Sequence, residues 1–144
     1  MAVSVKKVTL WRAEMENKPG TLAKILAPLA EAGADLQVVM GYHHQAGDTA
    51  VIEVCPVSGK KTTAAADRAG LKAALIPTLL VQGDDKAGLG SAIALAIAEA
   101  GINVAFLVAQ VVDARFSAVM GFEDEAAAKQ AGTLIKKAVQ KMER

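Results

Sequence analysis

Two short loops carry the residue types best suited to holding a charged small molecule. Asn17-Lys18-Pro19-Gly20 and Asp85-Lys86-Ala87-Gly88 each precede a run with helical spacing of apolar residues. A glycine at such a junction removes a Cβ and lets a ligand approach the backbone closely. The start of a helix then offers N–H groups without intrahelical partners and the positive end of the helix dipole, which suit a carboxylate. Asn17, Asp84, Asp85, Asp35 and Asn103 can accept hydrogen bonds from an ammonium group. A zwitterionic amino acid presents both charges within a few bonds. The plain alternative is that Gly20 and Gly88 only permit tight turns while Asn and Asp cap the helices. One copy of the loop, taken alone, fits either reading.

Other chemistry finds less support. Gly88-Leu-Gly90-Ser-Ala-Ile93 follows a strand and opens a helix, as a dinucleotide fingerprint does, but Ile93 stands at its third glycine position. The chain also continues there into a hairpin rather than a parallel crossover. His43 and His44 are the two histidines, and adjacent strand residues point to opposite faces, so they do not readily share a metal. Cys55 is the one cysteine, which excludes an intrachain disulfide and a cysteine zinc cluster and reads as a small core residue. Lys60-Lys61 and Lys136-Lys137 read as solvated faces. No P-loop, nucleophile elbow or carboxylate pair is present, so no catalytic residue, metal or cofactor is expected.

The elements that position the loops emerge from a repeat. Slid by 68 residues, Lys18–Gln37 lies over Lys86–Ala105 with seven of twenty positions identical, among them Gly20/Gly88 and Glu31-Ala32-Gly33 over Glu99-Ala100-Gly101. The register holds without a gap to Ala50-Val51 over Ala118-Val119. Two copies of one unit therefore divide the 144 residues, at 1–71 and 72–144, with 72–82 a segment that both sheets can share. Each copy is short for an independent core.

Periodicity fills in each copy. Leu22, Ile25, Leu26 and Leu29 recur at helical spacing, as do Gly90, Ile93, Ala94 and Ile97. Gly33 and Gly101 fit the left-handed residue that ends a helix. Pro28 falls inside the first helix, where it removes a hydrogen bond. Strands are expected before these helices at Val8–Met15 and Leu75–Gln82. Hairpins follow at Leu36–His43 with Thr49–Val54, turning at Gln45–Asp48, and at Val104–Val112 with Phe116–Phe122, turning at Asp113–Arg115. Second helices fall at Lys60–Ala69 and Asp124–Met142, with Asp124 as N-cap. The order is that of an α+β, ferredoxin-like βαββαβ unit used twice, its antiparallel sheets covered by helices on one face. Copy two runs out in helix, so its closing strand is missing from the expected place.

A strand ending in a polar pair, Lys-Pro-Gly or Lys-Ala-Gly, an amphipathic helix, Glu-Ala-Gly and a hairpin together resemble the ACT domain family. The resemblance covers roughly residues 5–70 and 73–142. It implies a free-standing tandem of regulatory modules that binds a free amino acid or related small metabolite and has no enzyme activity of its own. It extends the candidate ligand-binding set to Pro19, Thr21, Leu22, Ala87 and Leu89 in the loops. Ligands in that family lie between paired domains, which adds Met40 and Val108 on the facing strands. It further implies a homodimer joined through sheet edges and a regulated protein partner. An alternative is a regulator of amino-acid pathway genes acting through protein partners; a small ferredoxin-like enzyme is a third reading.

Composition is consistent with these expectations. The chain is 53% hydrophobic but 3% aromatic, with a net charge of +1. That balance argues against a nucleic-acid groove, which needs basic excess and stacking aromatics, and against disorder. Thirty alanines supply much of the apolar fraction, so helices can approach their sheets closely but bury little area each. No apolar run nears the roughly 18 residues of a membrane span, and the N-terminus lacks the order of a secretory signal. A cytoplasmic protein with a near-neutral, zwitterionic partner is the expectation.

Overall fold

Alternating strands and glycine-punctuated helices dictate two four-stranded antiparallel sheets. In a computed structural model, residues 3–44 and 47–143 are described. The elements run β1 (Val3–Val8), β2 (Trp11–Glu16), α1 (Thr21–Glu31), β3 (Val38–His43), β4 (Thr49–Cys55), α2 (Lys60–Arg68), β5 (Lys72–Ala73), β6 (Thr78–Asp84), α3 (Leu89–Glu99), β7 (Val104–Val112), β8 (Arg115–Phe122) and α4 (Glu125–Met142). The expectation of an α+β, ferredoxin-like architecture holds. Gln45 and Ala46 of the expected first hairpin turn lie outside the described residues.

The chain forms two compact units. A nested unit spans residues 9–75 with strand order β3-β4-β2-β5. A split unit combines residues 3–8 with 76–143 in the order β7-β8-β6-β1. Both orders place the repeat's first strand between its third and its last. The division at 71/72 expected from the repeat differs from this in two respects: residues 72–75 fall in the nested unit, and Val3–Val8 pairs with β6, from Val3↔Gly83 to Val8↔Thr78. The chain's first strand thus occupies the position of copy two's missing last one. The single strand expected at Val8–Met15 is accordingly two strands in two sheets, and Leu10 in the link joining them is buried. The 72–82 segment contributes β5 to one sheet and the start of β6 to the other.

The first helix of each unit buries a narrower strip than the periodicity suggested. Thr21, Ile25 and Leu29 are buried on α1, and Leu89, Ile93 and Ile97 on α3, an i, i+4, i+8 line. Leu22 is 46% exposed, because an 11-residue helix lying on one sheet leaves its neighbouring positions at the margin. The nested core joins Ala13, Ile25, Leu29, Ile52, Val54 and Leu71, with Trp11 and Met15 packed against it. The split core centres on Val81, Ile93, Ile97, Phe122 and Ile135. α1 continues through Pro28 over the same eleven positions as α3. α4 begins at Asp124, whose Oδ1 accepts a hydrogen bond from the Ala127 N–H at 2.7 Å.

Candidate functional site

The strand-to-helix loops are built alike in the two units. Gly20 and Gly88 are the N-caps of α1 and α3, with φ of 90° and 88°. A side chain is strained there, so glycine is required by the backbone itself. Neither helix has a side-chain cap or an acidic residue in its first turn, in contrast to α4. The first N–H of each helix donates back into its own loop, Thr21 to the Lys18 carbonyl at 3.3 Å and Leu89 to that of Lys86 at 3.0 Å, and no side chain compensates the positive end of either dipole. Each loop is also tied to the facing hairpin by one backbone bond: the Asn17 N–H donates to the Asp48 carbonyl at 2.7 Å, and the Asp85 N–H to that of Ala114 at 2.9 Å.

In the nested unit a cavity of about 290 Å³ lies beside this loop. Asn17, Lys18, Thr21 and Leu22 form one side, and Tyr42 and His43 of β3 contribute to the other. Thr21 Oγ1 donates to the Glu16 carbonyl at 2.9 Å, which fixes the loop to the end of β2. Lys18 Nζ lies 3.3 Å from Glu16 Oε2 in the open, and His43 Nε2 is 2.9 Å from the Gly47 carbonyl. Pro19 and Gly20 shape the loop without lining the cavity. Asp35 is exposed just beyond the far end of α1, a helix about 16 Å long, so it does not join the loop. Met40 pairs with Glu53, on the sheet face opposite Ile52 and Val54, which pack in the helix-covered core.

The split unit distributes its candidates differently. Asp84 is held by Arg115 at 2.7 Å, and Lys86 donates to the carbonyl of Met142 at the end of α4. Ala87 and Gly88 are exposed in the loop, with Asp85 beside them. Leu89 is a core side chain, 1% exposed, so only its backbone can meet a ligand. Asn103 follows α3 and lines a second cavity, of about 420 Å³, between α3 and β7. Val108 lies on the exposed edge strand β7. Sequence reasoning left Lys18, Tyr42 and His43 out of the site, though all three line the nested cavity. It also missed the apolar lining of the second cavity, whose signal was the loss of Leu22 and Leu26 at Gly90 and Ala94.

Among the described residues one charged side chain is buried. Glu53 is buried, with Arg12 Nε at 3.8 Å and the Tyr42 hydroxyl donating at 3.4 Å. Burial pushes its carboxyl above the ordinary range, against the opposing pull of Arg12 and Tyr42. Burial and the charge of Glu53 likewise raise Tyr42. Burial also pushes the Cys55 thiol up, away from thiolate reactivity. Among the described residues no cluster of His, Cys, Asp and Glu could hold a metal ion. No helix among them is long and apolar enough to cross a membrane.

Comparison with solved structures places this fold. Protein BT0572 from Bacteroides thetaiotaomicron matches with a TM-score of 0.74 and 12% identity, over 92% of this chain and 90% of that one. The ligand-free regulatory subunit of aspartate kinase from Thermus thermophilus matches at 0.65 and 16%, over 96% and 97%. That of Thermus flavus matches at 0.60 and 18%, over 96% and 97%. The chain has the fold of aspartate kinase regulatory subunits. No protein-family model matches the sequence, and no curated protein matches it. At these identities the likeness speaks for the fold, and function rests on the site.

Proposed function

We propose that this chain is a regulatory sensor that binds a free amino acid between the helix and the edge strand that follow each strand-to-helix loop. The observation that carries the reading is the nested cavity, which sets Asn17, Lys18 and Thr21 at an uncapped helix start opposite Tyr42 and His43. The helix start receives the carboxylate, and the Asn17 side-chain oxygen can receive the ammonium group. The regulatory subunits that share the fold support a role in control rather than catalysis.

Ligand occupancy is read out through contacts with protein. The edge strand β7 runs nine residues without a charge and exposes Leu107, Val108, Val111 and Val112. A long apolar edge of this kind is a template for pairing, and we assign it to a second copy of the chain, forming a homodimer. A Val108→Lys variant places a charge in that edge and should shift sedimentation toward monomer; an unchanged dimer would remove β7 from the interface.

The test of binding is a thermal-shift screen of the twenty amino acids at millimolar concentration. A ligand at a hundred times its dissociation constant adds about 2.7 kcal/mol. Gly20→Val, at the loop beside the nested cavity, should abolish the shift contributed by the nested unit. A screen in which no amino acid moves the melt defeats the proposal.

A further inference from the structure

The two copies differ most on one face of their first helices. With the 68-residue offset, Leu22 falls on Gly90 and Leu26 on Ala94. The smaller side chains leave a groove of about 420 Å³ running along α3 under β7, within the range of small-molecule sites, roughly 300–1,000 Å³. Nothing in the backbone demands glycine at position 90. Its φ is not left-handed, and a Cβ there would meet no atom within 4 Å. Glycine inside a helix is destabilising relative to alanine, so its structural effect at this position is open space.

The groove's walls define what fits. Ile93, Ile97, Phe116 and Met120 form a buried apolar floor. The Phe106 ring is parked over Gly121, where a Cβ would sit 2.1 Å from the ring. No lining residue is charged, and the one polar side chain is Asn103, beyond the C-terminal end of α3. An amide can donate to a carboxylate and accept from an ammonium group at once, while the apolar length beside it offers nothing to a second charge.

We infer that the split unit's groove selects an amino acid with a bulky apolar side chain, branched aliphatic or aromatic. The side chain lies against Ile93, Ile97 and Met120, and the zwitterionic end meets Asn103. The inference rests on the amino-acid-binding reading above and names the ligand class for one of its two sites. The nested cavity, partly occupied by Leu22 and edged by Lys18 and His43, does not share this selectivity.

The experiment titrates the full chain by calorimetry with leucine, methionine and phenylalanine, and with alanine, aspartate, lysine and threonine. Leucine should bind at least about tenfold more tightly than alanine, since each methylene in an apolar pocket is worth roughly tenfold or more. Gly90→Leu and Ala94→Leu, which restore the side chains of the other copy, should each weaken leucine binding by at least about tenfold. Both add apolar volume on a helix, and circular dichroism verifies that they fold; either one suffices if the other does not. Binding of only polar or charged amino acids overturns the inference and leaves the sensor reading intact. Absence of binding by any probe overturns both. Leucine affinity unchanged in both variants overturns the inference, as does a loss confined to self-association, which would make the groove a subunit contact.

Discussion

Removing residues 1–8 withdraws β1 from the split unit and nothing from the nested one. β1 makes six residue pairings with β6, and Val3 and Val5 pack against the split core. A ladder hydrogen bond adds about 1 kcal/mol net, and ordering each residue of the strand opposes it with about the same amount. The ladder and its ordering therefore nearly cancel. The two half-buried valines remain, at roughly 1 kcal/mol each. Val5 also covers the region where Gly132 meets Leu79, so the expected loss is on the order of 2–4 kcal/mol. Against a domain stability of about 5–15 kcal/mol, the unit stays folded but opens more often. Amide hydrogen exchange reads this directly: peptides covering Thr78–Asp84 should lose protection while those covering Thr49–Cys55 keep it. Appending residues 3–8 after Arg144 through a short Gly-Ser linker should restore protection, because that is where the repeat expects its last strand. Unchanged exchange at Thr78–Asp84, or equal loss at Thr49–Cys55, would refute the argument that β1 completes the split unit.

Three further outcomes follow from the structure. Ala114 sits at φ 62° in the β7–β8 turn, so Ala114→Gly should relieve left-handed strain and raise the denaturation midpoint, by roughly 0.5 kcal/mol after the added chain entropy. Asp124→Ala removes the one side-chain cap among the four helices and should cost about 1 kcal/mol in a urea melt. Because burial raises the Glu53 carboxyl above its unfolded value, the folded state holds more protons between the two values, and stability falls as pH rises through that window. Glu53→Gln should flatten that fall, its advantage over the parent shrinking as pH drops below the ordinary carboxylate range; a parent and variant with parallel pH profiles would count against it.

What could be read from the sequence followed from local chemistry and from the repeat. Gly20, Gly33, Gly88 and Gly101 all adopt positive φ, a demand set by the few residues around each turn. The Asp124 cap was legible for the same reason. The offset of 68 residues paired the hairpins correctly because β-α-β-β-α order constrains which strands can meet. Side-chain roles were less legible. Leu22 and Leu89 were both assigned to the ligand, but Leu89 is buried in the core, and only the position of each helix on its sheet separates them. Asp35 and Asn103 were grouped with the loops in sequence terms, yet a full helix length separates each from its glycine.

By itself the sequence determined two ferredoxin-like copies, their turns, their helix ends and a pair of glycine loops at the helix starts. Those features depend on periodicity and on backbone conformations that neighbouring residues impose. Tertiary structure decided the rest: that Val3–Val8 closes the split unit, that Tyr42 and His43 of β3 line the nested cavity, and that Gly90 and Ala94 open a groove. Each is a long-range pairing or packing relation. Strand register across a sheet depends on hydrogen-bond partners far away in the chain, and an open volume depends on every wall around it, so neither is written in any one segment.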